Sequence, residues 1–421
     1  MADRRRRRGA LRQTSIGLAL AGGGPAGAVY EIGALRALDE AIDGLDVNAL
    51  DVYVGVSAGA FLAANLANQL SSAQMVRAIV KHEPGEHPFV PETFFTPAFL
   101  EWTRRGLSVP RLALEAIWDF ARNPRDLTLM ESFTRLGHAL PVGIFDNEPI
   151  RHYLRNIYTM KGRSDDFREL AHRLYIVAAE LESGRSVVFG KPGRDHVPVS
   201  RAVQASSALP GLYSPVEIDG HLYVDGVLNR TVHASVALDA GAKLLFCINP
   251  IVPVDVSNDN AAGQYAEGEL LRRGLPSVLD QTFRTLIHSR LEVGMKRYDS
   301  LYEDSDVILL EPDRDDYEIF FSNIFSFSER SAVCAHAYAS TRSDLLNRYD
   351  LLAPILARHG LKLRRDILED RSRELWRGVG LDSSDAAKLA RKGGRRESSH
   401  ETLERLDSVL DRLQAALVRE G

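Results

Sequence analysis

Cysteine is nearly absent: Cys247 and Cys334 are the only two in 421 residues. That excludes a disulfide framework and a cysteine-built zinc site. Cys247 lies in the apolar run Leu244-Leu245-Phe246-Cys247-Ile248 and reads as a small core residue. Long apolar runs are missing too, and no segment approaches the roughly 18 residues of a spanning helix. The run Arg4 to Arg8 is followed by polar Gly9 to Ser15, without the apolar stretch of a secretory signal. The expectation is a cytoplasmic protein with a disordered basic tail over residues 1–14. Attraction of that tail to anionic lipid, as a peripheral membrane contact, is the sharper alternative. An excess of one charge is also lacking: 52 basic residues against 57 acidic ones leave a net charge of −5, which makes no case for nucleic-acid binding. No internal repeat is present. The remaining composition, 45% apolar and 26% charged, is that of a folded globular chain.

What is present begins with a rhythm. Ile16 to Ala21 is short, apolar and stopped by glycines, as a buried strand is. Ala28 to Ala41 carries Val29, Ile32, Leu35 and Leu38 at helical steps. Val52 to Val56 and Ala58 to Leu70 repeat the strand-and-helix pair, which implies parallel pairing. Residues 82–168 break the pattern with prolines and with the aromatic residues Phe89, Phe94, Phe95, Phe99, Trp102, Trp118 and Phe120. This stretch reads as a helical cap inserted into a domain spanning 15–348. Strands resume at Leu174 to Ala179 and Ser186 to Phe189, followed by a helix from Arg201 to Ser207. A hairpin-like stretch turns at Asp219-Gly220. Leu244 to Ile248 and Val307 to Leu310 are further buried strands, separated by a long helix from about Val278 to Tyr302. Residues 349–421 form a charged helical extension. Its final helix spaces Leu403, Leu406, Leu410, Leu413 and Leu417 as a short coiled-coil seam, which would dock on the main domain or join a homo-oligomer.

Gly55-Val56-Ser57-Ala58-Gly59 lies between a buried strand and a helix, the context of a nucleophile elbow. A tight turn there leaves no room for side chains at Gly55 and Gly59 and directs the Ser57 hydroxyl off the strand end. Gly22-Gly23-Gly24-Pro25-Ala26-Gly27 follows the first strand and suits an oxyanion loop of converging backbone N–H groups. Gly22, Gly24 and Gly27 also satisfy the dinucleotide fingerprint. That reading needs an acidic residue at the end of the second strand, where Ser57 stands instead; Asp46 and Asp51 precede the strand. The nucleophile needs a base. Of the twelve histidines, His288 and His336 sit in helical patterns and His359 in a charged one. Asp225-Gly226 directly follows the strand Leu222-Tyr223-Val224 in apolar surroundings, where a desolvated carboxylate can accept a proton at neutral pH. Alone, Asp-Gly is only a turn signal.

Taken together, these motifs resemble the patatin-like phospholipase family, which is similar to the catalytic module of cytosolic phospholipase A2. The glycine loop, the Ser57 elbow and the Asp225-Gly226 pair appear in the family's order. Ala205-Ser206-Ser207-Ala208-Leu209-Pro210-Gly211 resembles the family's approach to its aspartate. The chain departs from the pattern at Pro25 and Ala26, where a basic residue is frequent, and at Val227, where Gly or Ala is usual. The resemblance implies a three-layer α/β/α fold with a mainly parallel sheet. It also implies a Ser57–Asp225 dyad acting on a lipid ester, with Gly22, Gly23, Gly24 and Gly27 around the oxyanion and with no metal or organic cofactor. The alternative is a catalytically silent lipid-binding or regulatory protein on the same scaffold.

Overall fold

The computed structural model describes residues 14–80, 96–98, 141–255, 268–314, 316 and 327–379. The basic run Arg4 to Arg8, the aromatic residues Phe89, Phe94, Phe95, Phe99, Trp102, Trp118 and Phe120, and the leucine seam of residues 403–417 lie outside the described residues. The chain runs β1 (Ile16–Leu20), α1 (Gly24–Ala41), β2 (Ile42–Asp43), β3 (Val52–Val56), α2 (Ala58–Ala67) and α3 (Ser72–Val80). Then come β4 (Thr96–Pro97), β5 (Gly143–Asp146), α4 (Glu148–Tyr158), β6 (Arg173–Glu180), β7 (Ser186–Phe189) and α5 (Val199–Ser206). There follow β8 (Gly211–Tyr213), β9 (Val216–Ile218), β10 (His221–Asp225), α6 (Ala234–Asp239), β11 (Leu244–Ile248) and α7 (Leu275–Leu301). The described chain ends with β12 (Asp306–Leu310), α8 (Phe327–Asn347), α9 (Tyr349–Arg358), β13 (Lys362–Leu363) and two short helices.

The main sheet has the order β12-β11-β1-β3-β6-β10-β9. β12, β11, β1, β3 and β6 are parallel to one another, whereas β7, β9 and β10 pair antiparallel. All five residues of β1, β3 and β11 are buried, as a sheet covered on both faces requires. Alternate residues feed two cores. Ile16, Leu18 and Leu20 join the core under α1, α2 and α8, and Ala19 and Ala21 join the core under α6 and α7. Helix, sheet and helix thus form three layers, with Cys247 fully buried in the second core.

Several helices begin earlier than periodicity predicts, because proline fits a first helical turn, where its missing N–H has no intrahelical partner. Pro25 lies in the first turn of α1, so the end of the glycine loop is already helix; Pro276 does the same in α7. α2 stops at Ala67, earlier than Leu70, where Asn68 caps it and Gln69 turns left-handed. Within 82–168, α4 sends Ile150, Leu154, Ile157 and Tyr158 into the main core, and β5 pairs with β4 and β8 in a small separate sheet. Beyond residue 348, β13 pairs with β2, and Leu352, Leu356 and Trp376 join the main core. No helix among the described residues is long and apolar enough to cross a membrane.

Candidate active site

Ser57 occupies the turn between β3 and α2 with φ 54° and ψ −121°. A side chain in that region costs about 1–3 kcal/mol and persists only when its surroundings over-determine it. The surroundings here do so. The Gly59 N–H donates to the Ala21 carbonyl at 2.9 Å, and the Ala60 N–H donates to the Ser57 carbonyl at 3.0 Å. The Ser57 N–H donates to Ser206 Oγ at 2.8 Å, and Ser206 Oγ donates onward to the Val177 carbonyl at 2.6 Å. Ser207 Oγ reaches the Ser57 carbonyl at 3.4 Å. A Cβ at Gly59 would lie 2.4 Å from both the Leu20 and Ala21 carbonyl oxygens, so only glycine lets α2 start this close to β1. Gly55 is crowded in the same way by Ala60.

Asp225 ends β10 and is 1% exposed. Its carboxylate accepts a hydrogen bond of 2.9 Å from the Val227 N–H, and the Ser57 hydroxyl beside it also favours the charged form. Burial disfavours the charged form more than these two neighbours favour it, and the carboxyl group is pushed up to about 7. The Val227 contact comes from the backbone, so the unusual side chain at that position does not disturb it. That side chain instead packs against the glycine loop: its Cγ2 would be 3.1 Å from a Cβ on Gly22. Gly226 packs its α-carbon against the Val177 carbonyl.

The glycine loop lies beside Ser57; a Cβ on Gly22 would be 3.3 Å from Ser57 Cβ. Gly23 caps α1, and Gly24 adopts φ 61°. Pro250, just after β11, presses on Gly23 and Gly27. The Ala21 N–H donates to Ile248 and the Gly27 N–H to Gly23, but no described backbone carbonyl accepts from Gly22, Gly23 or Gly24. Three N–H groups at the start of an 18-residue helix are thus left beside the Ser57 turn.

No histidine reaches Asp225 or Ser57 among the described contacts. His221 pairs with Glu180 at 2.7 Å, His336 with Asp316 at 2.7 Å, and His359 with Asp306 at 2.7 Å. His288 pairs with Glu292 at 3.2 Å. His233 comes nearest. It is buried, its Nε2 lies 3.3 Å from the Gly226 carbonyl, and burial pushes it down to about 4, so it is neutral.

Ser57 and Asp225 open onto a cavity of about 330 Å³. Its walls are mainly apolar, including Ala28, Phe61, Ile150, Leu209, Leu212 and Tyr213. Phe283, Arg284 and Ile287 of α7 close one side. The motif-based reading missed two groups: the Ser206 latch, which lies far from Ser57 in sequence, and the contribution of α7. The run Ser206-Ser207 was the only signal of the first.

The family model for patatin-like phospholipases matches residues 18–238. The chain belongs to the patatin-like phospholipase family. The matched span contains the glycine loop, the Ser57 turn and Asp225. Among solved structures, VipD from Legionella pneumophila is 14% identical, with 96% of this chain and 87% of that chain covered at a TM-score of 0.32. The type III effector protein ExoU is 16% identical, with 91% and 70% covered at 0.28. Full-length ExoU from Pseudomonas aeruginosa, in complex with SpcU, is 19% identical, with 46% and 38% covered at 0.23. At such scores these three likenesses carry no argument.

Proposed function

We propose that this protein is a serine acyl-hydrolase acting on lipid esters, with Ser57 as nucleophile and Asp225 as its base. The observation that carries the reading is the placement of the Ser57 hydroxyl beside a buried carboxylate whose proton affinity lies near neutrality. A base poised at about 7 can both take a proton and return it at physiological pH. Asp225 takes the Ser57 proton as Oγ attacks the ester carbonyl, and the N–H groups of Gly22, Gly23 and Gly24 stabilise the oxyanion. The protonated Asp225 then donates to the leaving alcohol, and the acyl group stays on Ser57. Asp225 next deprotonates a water, which releases the fatty acid and restores the Ser57 hydroxyl. Removing one oxyanion donor typically costs about 2.7–4 kcal/mol of barrier.

The lipid assignment rests on family membership and on the apolar cavity walls. The runner-up, a catalytically silent lipid-binding protein, is disfavoured by the paired Ser57 and Asp225. Covalent labelling by a fluorophosphonate, followed by hydrolysis of a panel of lipid esters, tests the proposal. Ser57→Ala should abolish both signals while the protein stays folded. Labelling that persists in folded Ser57→Ala would remove Ser57 from the mechanism.

A further inference from the structure

We infer that the outer face of α7 is a docking surface for an anionic lipid surface, placed so that the active-site cavity opens beside the docked lipid. This rests on the lipid-ester reading above. α7 is 27 residues long, and one side of it is anchored: Leu291 and Tyr298 join the second core, and His288 is buried. The opposite side is apolar and exposed. Leu275 is 69% exposed, Leu279 45%, Phe283 51%, Leu286 56%, Val293 60% and Leu301 62%. A helix turns 100° per residue, so these six and Val278 fall within one sector of about 140°. A soluble helix ordinarily keeps such a stripe against its core, and a contiguous exposed one marks an interaction surface.

Charge on the helix selects the occupant. Arg290, Lys296 and Arg297 fall in the same sector, while the acidic positions 280, 292 and 299 all fall outside it. Asp280 is paired with Arg284, and Glu292 with His288 and Arg314. Arg290 and Arg297 join Arg230 around a second cavity of about 350 Å³. Arg230 bonds Ser235, Arg290 bonds the Leu228 carbonyl, and none of the three forms an ion pair among the described residues. Apolar side chains interleaved with cations, with no anion on the same face, match an acyl layer beneath anionic headgroups. A second protein copy would need the same face to tolerate its own cations.

The stripe is continuous with the catalytic centre. Phe283 is half exposed, yet it also lines the cavity above Ser57 together with Arg284 and Ile287. A lipid held at α7 therefore lies at the cavity mouth.

The test uses the full chain carrying Ser57→Ala, so that vesicles stay intact, and measures flotation with phosphatidylcholine vesicles with and without phosphatidylserine. The parent should bind the anionic vesicles preferentially. Leu275→Ser/Leu286→Ser/Val293→Ser should weaken partitioning at least tenfold, and Arg290→Glu/Arg297→Glu should remove the preference for anionic lipid. With Ser57 restored, the leucine-valine variant should hydrolyse a short soluble ester like wild type, which shows that the fold and centre are intact. Unchanged vesicle binding in the triple variant would overturn the inference. So would a parent dimer on size-exclusion chromatography that the triple variant converts to monomer while neither binds vesicles. Vesicle binding by a wild type that hydrolyses no ester would uphold this surface and remove only the catalytic reading.

Discussion

Val56 and Asp225 pair with consecutive residues of one strand: Val56 lies opposite Val177, and Asp225 opposite Ala178. The parallel strand β3 and the antiparallel strand β10 therefore meet end to end along the same edge of β6. The residue after Val56 is Ser57, so the hydroxyl and the carboxylate are brought together by sheet register rather than by a loop. Groups set on rigid elements keep their geometry better than groups set on loops.

The first prediction concerns pH. Asp225 must be ionised to act as a base, and its carboxyl group titrates at about 7. kcat/KM on a soluble ester should therefore rise with pH and reach half its plateau near pH 7. Stability should run the other way. The folded carboxyl group titrates well above the ordinary aspartate value of 3.8, so the folded state holds its proton more tightly than the unfolded chain. The contribution is fully present below about pH 4 and is lost as pH rises through 7. Above that, the buried charge costs on the order of 4 kcal/mol. Asp225→Asn removes the titration. Its activity should fall by about 10²–10⁴-fold, while its melting temperature at pH 8 should match or exceed that of wild type. An active Asp225→Asn enzyme, or an unshifted pH profile, would place the base elsewhere.

The second prediction concerns the latch. Ser206 joins the Ser57 N–H to the Val177 carbonyl, tying the strained turn to the central strand. Ser206→Ala leaves both groups buried without that partner and should cost about 1–3 kcal/mol of stability. Because Ser57 is then held less firmly, kcat should fall more than KM rises. Ser207→Ala breaks only a 3.4 Å contact and should be milder on both counts. Denaturant melts with steady-state kinetics for the two variants check this, and equal effects would show that the latch holds nothing in place.

The central strands and the Ser57 turn were legible because each is a local pattern: an apolar run stopped by glycine, then an alanine-rich helix. Asp225 was legible only through its place after Leu222-Tyr223-Val224 and through family resemblance, because Asp-Gly by itself is a turn. Ser206 was not legible as a partner of Ser57, since the two lie 149 residues apart and the contact exists only through β6. The outer face of α7 was hidden for a different reason. Periodicity reports that a helix has an apolar side, and here apolar residues lie on both sides, Leu291 inward and Leu286 outward. Only burial distinguishes them.

The third prediction separates two glycines that motifs treat alike. Gly59→Ala places a methyl group 2.4 Å from two backbone oxygens of the β1 end, which cannot move without shifting the glycine loop. Gly24→Ala meets nothing within 4 Å and carries only the strain of φ 61°, roughly 1–2 kcal/mol. Gly59→Ala should therefore fail to accumulate as folded protein, whereas Gly24→Ala should fold with a modestly lower melting temperature. Comparable stability in the two variants would mean that the elbow relaxes more easily than this packing allows.

The last prediction concerns the histidine that a serine hydrolase ordinarily uses. His233 is the only described histidine near Asp225, and its ring lies against the Gly226 carbonyl rather than against Ser57 or the carboxylate. Its left-handed backbone, φ 48°, and its burial make it a structural residue at the start of α6. Asparagine tolerates that backbone and keeps a donor, so His233→Asn should lose stability yet still hydrolyse ester at a rate within about tenfold of wild type. Its pH profile should keep the half-point near 7, because the titrating group is Asp225. His221→Gln breaks a half-exposed pair with Glu180 and should be nearly silent. The pH profile makes the experiment decisive. A merely destabilised enzyme keeps its half-point and loses amplitude, whereas an enzyme that has lost its base loses the titration itself. If His233→Asn loses the titration and Asp225→Asn keeps it, the proton passes through imidazole and the dyad assignment fails.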